Sequence, residues 1–236
     1  MQIEPITHLG LHRKNNEDRY LVRALDNHHA LLAIADGMGG HAAGEVAAQL
    51  AMESFDGFSP GGPDINAEIL NHHIEEAQKS ILERTLLDPF LRGMGTTLTA
   101  LFLDGGSAFW AHVGDTRIYH LHKGSLTRIT DDHTIPGMLF KKGEITREQA
   151  RLHPYGNVLT RCVGCERYEP DSGAFDLTDG DLVLLTSDGL HDLMADEQIE
   201  AILSADIPLV DKLNRMVSKC LEAGGRDNIT AVIARI

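Results

Sequence analysis

The chain has 236 residues, 42% of them hydrophobic, and a formal net charge of −14. This length suits one β-rich domain with a sizeable core, and the acidic balance argues against nucleic acid as a partner, because phosphate backbones need a basic footprint. No apolar run approaches the ~20 residues of a membrane span, residues 1–5 lack the basic start and apolar stretch of a secretory signal, and three cysteines are too few for a disulfide framework, as fits a reducing cytoplasm.

In chain order, the first strong signal is the apolar strand 31–35, which runs into Asp36-Gly37-Met38-Gly39-Gly40. Residues 44–55 place Val46, Ala47, Leu50, Ala51 and Phe55 at helical spacing. A second helical pattern over 64–87 follows a Gly- and Pro-rich loop at 59–64. Strand formers then dominate 96–103, 107–113, 116–122 and 125–130, with Lys123-Gly124 as a tight hairpin turn. Residues 131–165 read as irregular, with one short helix opened by the capping box Thr146-Arg147-Glu148-Gln149. A strand at 181–186, a helix at 208–223 and a closing strand at 228–236 complete the pattern. Strands in hairpin succession beside long separate helices predict an α+β fold with antiparallel sheets covered by helices.

The aspartates stand at the strand ends. Asp36 and Asp188 follow apolar strands, Asp227 leads into the last one, and Asp115 leaves its strand as Asp36 does. If the last strand is antiparallel to the others, these carboxylates meet at one edge of the sheets. Gathered carboxylates repel, and a hard divalent cation with oxygen ligands is the natural compensation. Glycine after Asp36 and Asp188 allows a sharp turn and the approach of a carbonyl, such as that of Gly37, to an ion. Asp-Gly is also a common turn signal, so the weight lies in several of them fixed to strand ends.

The sequence resembles the metal-dependent protein phosphatases of type 2C, the PPM family, in their compact bacterial form. The resemblance runs from Gly10 to Ile236 through ordered motifs: Arg13-Lys14-Asn15-Asn16-Glu17-Asp18, Ala35-Asp36-Gly37-Met38-Gly39-Gly40-His41, Gly95-Thr96-Thr97, His112-Val113-Gly114-Asp115-Thr116-Arg117, Thr186-Ser187-Asp188-Gly189-Leu190 and Gly225-Arg226-Asp227-Asn228-Ile229-Thr230. It implies one catalytic domain over 1–236, built as a four-layer α-β-β-α sandwich with a metal cleft at one end and a flap at about 131–165. It implies two Mn²⁺ or Mg²⁺ ions bridged by Asp36, with the Gly37 carbonyl on the second and Asp188 and Asp227 on the first. Asp18 matches a position acting through ordered water, and Asp115 with Asp192 a weaker third metal site. Arg13 matches the arginine that holds the substrate phosphate, a task suited to its planar fork. His41 is the candidate general acid, since histidine titrates near neutrality; orienting water or capping the helix at 44–55 are its other readings. The flap serves substrate selection or is a passive surface excursion.

The implied activity is hydrolysis of phosphoserine and phosphothreonine in proteins by a metal-activated water, opposing a serine/threonine kinase. The enzyme is expected to be a cytoplasmic monomer whose partners are phosphorylated proteins. Two other readings compete. Cys220-Leu221-Glu222-Ala223-Gly224-Gly225-Arg226 fits the Cys-x₅-Arg pattern of cysteine-dependent phosphatases, but here a helix precedes and a strand follows, the reverse of what phosphate cradling needs. A phosphatase-like module that only binds would be expected to have lost its carboxylates, which are all present. Cys162-Val163-Gly164-Cys165 lacks a second ligand pair for zinc and reads as two ordinary thiols. His28-His29 and His72-His73 read as solvated pairs.

Overall fold

The central strands are apolar on both faces, so each sheet must be covered twice. In the computed structural model, which describes residues 1–39, 43–60 and 67–236, this need is met by four layers. One sheet has the order β1 (Gln2–His8), β11 (Ile229–Arg235), β10 (Leu182–Thr186), β7 (Arg117–His122), β8 (Ser125–Arg128). The other runs β2 (Asp18–Ala24), β3 (His29–Met38), β5 (Leu98–Asp104), β6 (Ser107–Val113), β9 (Asp171–Asp176), with β4 (Gly95–Thr96) paired to the end of β3. All pairings between these strands are antiparallel.

The two faces of β3 show how the layers arise. Leu31, Ala33 and Ala35 pack beneath α1 (Ala43–Glu53) and α2 (Glu68–Leu87), whereas Ala30, Leu32 and Ile34 face the second sheet across Val183, Leu185 and Val232. The opposite face of that second sheet, through Leu184, Ala231 and Ile233, is covered by α5 (Asp188–His191), α6 (Asp196–Ser204) and α7 (Leu209–Glu222). The helix-covered antiparallel sheets expected from the strand and helix patterns, and the four-layer sandwich implied by the resemblance, are the observed fold.

Local chemistry explains several details. Lys123 and Gly124 both take positive φ, 49° and 80°, as a two-residue hairpin turn demands. The Thr146 capping box is formed, opening α4 (Arg147–Arg151). The flap carries a further helix absent from the sequence reading, α3 (Ile135–Lys141), whose Thr134 hydroxyl accepts the Gly137 N–H at 3.1 Å. The structure also adds β1, β2, β9, α5 and α6 to the elements read from sequence.

Three expectations are corrected. Strand β3 does not stop at Asp36 but continues to Met38, because Asp36 pairs with Asp18 and Gly37 with Thr96. Cys162 and Cys165 are not separate thiols: a turn through Gly164 (φ 93°) sets their Cα atoms 5.3 Å apart with the sulfurs in bonding contact. The histidine pairs are not uniformly solvated either. His29 lies between Asp26 (2.7 Å) and Asp104 (2.8 Å), and His73 is buried with its Nδ1 2.7 Å from the Ser54 carbonyl. The loop at 59–64 lies largely outside the described residues.

His112, on β6, gives a pH prediction. Its ring is buried, with Nδ1 2.7 Å from the Thr99 hydroxyl and Nε2 3.1 Å from the Asp131 carbonyl at the base of the flap. Burial, with the neighbouring His133, pushes its pKa down to about 3. Below the ordinary histidine value of about 6.5 the unfolded chain therefore takes up a proton that the folded chain refuses. The contribution to stability is complete above that pH and is lost as pH falls, by about 2 kcal/mol at pH ~5. Urea unfolding of wild type and His112→Gln should show a steeper loss on acidification in the wild type.

Candidate functional site

The site is assembled at one end of the sandwich from three backbone devices. The first fixes Asp36. Its N–H donates to the Thr97 hydroxyl at 2.9 Å, and its carbonyl accepts the Thr96 hydroxyl and the Thr97 N–H, each at 2.9 Å. Gly37 then passes against the start of α1, where a Cβ would stand 2.1 Å from the Gly44 carbonyl oxygen. Gly37 is thus required by close backbone approach, not by the sharp turn anticipated from the Asp-Gly pair. Gly189 is similar: an added Cβ would meet the Asn228 carbonyl oxygen at 2.0 Å.

The second device holds the Arg13 loop to the turn before β11. Asn228 accepts the Glu17 N–H at 2.8 Å and donates to the carbonyls of Leu9 (2.9 Å) and Asn15 (3.1 Å). Leu11 N–H donates to the Gly225 carbonyl at 2.7 Å. Gly10 (φ 80°) lies so near the Asp227 carbonyl oxygen that a Cβ would be 2.2 Å from it. Arg13 is thereby delivered to the site, its Nη2 2.6 Å from Asp227 Oδ2, with its side chain half exposed.

The third device aligns β10 with β11. Ser187 N–H donates to the Thr230 carbonyl at 2.9 Å, and the Ser187 hydroxyl donates to Asp18 Oδ2 at 2.8 Å. Asp188 begins the short helix α5 directly afterwards.

The carboxylates on these supports act on one another. Burial, then the charges of Asp18, Asp188, Asp115 and Asp227, hold Asp36 well above the usual carboxylate range. Asp188 is raised in the same way by burial and by Asp115, Asp192, Asp227 and Asp18. Asp115 is pushed up to about 7 by burial with Asp132 and Asp192, partly offset by Arg117. Asp18 rises to about 6 because burial outweighs the hydrogen bonds from Thr230 and Ser187. Asp192 stands at the more open side of the group, one helical turn beyond Asp188, whose carbonyl accepts its N–H at 2.9 Å. Two oxygens, Oδ1 of Asp18 and Oδ1 of Asp188, are buried without a hydrogen-bond partner.

Buried at Asp18 and Asp115, half-buried at Asp36, Asp188 and Asp227, mutually repelling, all-oxygen and partly unpartnered, this donor set fits hard divalent cations. Asp18, Asp36, Asp115, Asp188, Asp192, Asp227 and Arg13 are therefore brought into one neighbourhood; His41 lies outside the described residues.

Sequence reasoning left Thr96, Thr97, Ser187 and Asn228 without individual roles. Their short polar side chains are common in turns, and only the fold reveals which backbone groups they clamp. Asp132 was also missed. It receives a two-pronged contact from Arg117 (2.9 and 2.6 Å) that ties the flap to β7. The flap and the Asp115 side of the site enclose a cavity of about 310 Å³, with Arg128, Arg147, Arg151 and Phe140 in its lining. Cys220 is buried on α7 with its Sγ 3.6 Å from the Leu190 carbonyl, and burial pushes its thiol up to about 11, which removes it as a nucleophile.

Comparison with known proteins gives consistent matches. A family described as Protein phosphatase 2C matches residues 12–233. The serine/threonine protein phosphatase PstP of Mycobacterium tuberculosis is 41% identical over 231 residues, a match that spans 96% of this chain and 43% of that protein. The protein phosphatase PhpP of Streptococcus pneumoniae is 35% identical over 243 residues, spanning 99% of this chain and 96% of that one. The crystal structure of the PstP catalytic domain in complex with two manganese ions superposes with a TM-score of 0.86 at 38% identity, covering 99% of this chain and 97% of that one.

Proposed function

We propose that this chain, which belongs to the protein phosphatase 2C family, hydrolyses phosphoserine and phosphothreonine esters in proteins with the help of two Mn²⁺ or Mg²⁺ ions. The observation that carries this reading is the partly buried carboxylate cluster, with its unpartnered oxygens, beside an arginine. Asp36, the Gly37 carbonyl, Asp188 and Asp227 are the proposed ligands, with Asp18 acting through ordered water and Asp115 with Asp192 at a weaker third position. A pair of divalent cations supplies an acidified water as nucleophile at neutral pH and offsets charge on phosphoryl oxygens.

The chain's own groups do the rest. Arg13, held against Asp227, offers its planar fork to the substrate phosphate as charge develops. The Thr96–Thr97 clamp fixes the Asp36 backbone, so that its carboxylate is presented from a rigid support. His41 is the proposed proton donor to the leaving seryl or threonyl oxygen. The cavity under the flap, with its guanidinium groups, is suited to the polypeptide around the phosphorylated residue.

The substrates in this reading are targets of a serine/threonine kinase, and the enzyme works as a cytoplasmic monomer. No helix among the described residues is long and apolar enough to cross a membrane. The test is phosphate release from a phosphothreonine peptide. Turnover is expected with millimolar Mn²⁺, lost with EDTA and restored by excess Mn²⁺. Turnover that survives chelation would overturn the mechanism, and none with Mn²⁺ present would favour a binding module.

A further inference from the structure

A second constellation of metal-binding side chains lies at the opposite end of β10 from the catalytic carboxylates. His120 and His122 are two residues apart on β7, so both project from the same face of the strand. Leu121 pairs with Leu182, and the same antiparallel register carried one step further sets Asp181 opposite His122. Asp181 meets both rings: its Oδ2 is 2.9 Å from His120 Nε2 and its Oδ1 is 2.9 Å from His122 Nδ1. Donor atoms from the three residues all lie within 4.8 Å of one another. The five residues of β10, Leu182–Thr186, roughly 16 Å at about 3.3 Å per residue, stand between Asp181 and the Ser187–Asp188 end, so this group is separate from the cleft.

We infer that His120, His122 and Asp181 form a transition-metal site that takes Zn²⁺ in preference to Mg²⁺ or Mn²⁺. The donor set supports the selectivity. Two imidazoles and one carboxylate are the ligands of a borderline ion, whereas Mg²⁺ and Mn²⁺ favour oxygen alone. A tetrahedral zinc with bonds of about 2.0–2.1 Å needs donors about 3.3 Å apart, and the two N···O distances at Asp181 are already near that.

The donors are also held in place from behind. Asp181 is almost wholly buried, with its side chain 4% exposed, and its Oδ2 accepts the Thr178 N–H at 3.0 Å. Its backbone is tied to Thr178 and to the C-terminal Ile236, each by a 3.0 Å hydrogen bond. The His120 ring packs against Phe175 of the other sheet, with centroids 4.9 Å apart. His122, with its side chain 39% exposed, provides the way in and leaves room for a water as fourth ligand. The Thr178 hydroxyl, 3.4 Å from His122 Nδ1, is a further oxygen at the same point. On binding, each imidazole presents a lone pair to the ion, and its ring proton sits on the other nitrogen. The bound ion would clip β7, the turn before β10 and the end of β11 together.

The experiment is zinc titration of the intact chain in excess Mg²⁺, which occupies the catalytic carboxylates, for wild type, His122→Ala and Asp181→Asn. Wild type is expected to bind one Zn²⁺ per chain and to rise in Tm on adding it. The variants are expected to bind at least ~10-fold more weakly, without that rise. Crystals of wild type exposed to Zn²⁺ and Mg²⁺, with data at the zinc absorption edge, keep the test decisive if a variant fails to fold. An anomalous peak between His120, His122 and Asp181 supports the site. Equal zinc affinity in the variants, or zinc found only among Asp36, Asp188 and Asp227, overturns it. Phosphatase activity is not a readout here, so failure of this inference leaves the proposed function untouched, and the reverse.

Discussion

Replacing Asp36 with asparagine should abolish phosphatase activity and at the same time stabilise the metal-free protein. Both effects come from one physical fact, that several carboxylates are gathered at one partly buried site. Asp36 is held well above the usual carboxylate range by burial and by Asp18, Asp188, Asp115 and Asp227. A carboxyl whose folded pKa is raised costs stability once pH passes its unfolded value, and the cost grows as pH rises towards the folded one. Removing that charge should raise stability in EDTA at neutral pH by about 1–2 kcal/mol, or roughly 2–4 °C per kcal/mol for a chain of this size. The catalytic cost should be at least ~10³-fold, since the ligand proposed to serve both cations supports several kcal/mol of charge stabilisation at about 1.36 kcal/mol per tenfold. Mn²⁺ should raise the Tm of the wild type and leave the variant almost unmoved. A variant that melts earlier than wild type in EDTA would contradict the account, as would one that keeps its activity.

The second large effect is structural. In Gly37→Ala, the added methyl would stand 2.1 Å from the Gly44 carbonyl oxygen and 2.8 Å from that of Glu17, both backbone atoms that cannot swing aside. Helix α1 would have to lift from β3, dismantling the packing of Ala43, Ala47 and Ala51 beneath it. Such overpacking should cost about 3 kcal/mol or more. Gly57→Ala is the control, because nothing lies within 4 Å of the position its Cβ would take, and it should stay within about 0.5 kcal/mol of wild type. Equal melting temperatures for the two variants would show that the β3–α1 contact is looser than described.

The sandwich was legible in the sequence because its central strands are buried on both faces and leave unbroken apolar runs, as at 31–35 and 182–185. The edge strands were harder to see. Strand β1 contains Pro5, and β9 is Asp171-Ser172-Gly173-Ala174-Phe175-Asp176; each is half-buried, so each offers a weak pattern. Strand β2, also at an edge, alternates too loosely for confident reading, with intermediate burial along most of its length. The aspartates could be found from their place at strand ends together with the family motifs. Their grouping depends on antiparallel pairing that no local pattern encodes.

What the sequence obscured was the reason for the glycines. Gly37 and Gly189 looked like turn residues, yet both are set by a neighbouring backbone carbonyl reached only after folding. His120, His122 and Asp181 were invisible for a similar reason: they are 61 and 59 residues apart in the chain and meet only through the pairing of β7 with β10.

The most direct test of the central claim is a crystal of the chain grown with Mn²⁺ and measured at the manganese absorption edge. The account predicts two anomalous peaks enclosed by Asp36, the Gly37 carbonyl, Asp188 and Asp227, and none at those positions in Asp36→Asn. A wild-type map with no manganese among these residues, from protein that still hydrolyses a phosphothreonine peptide, would contradict it.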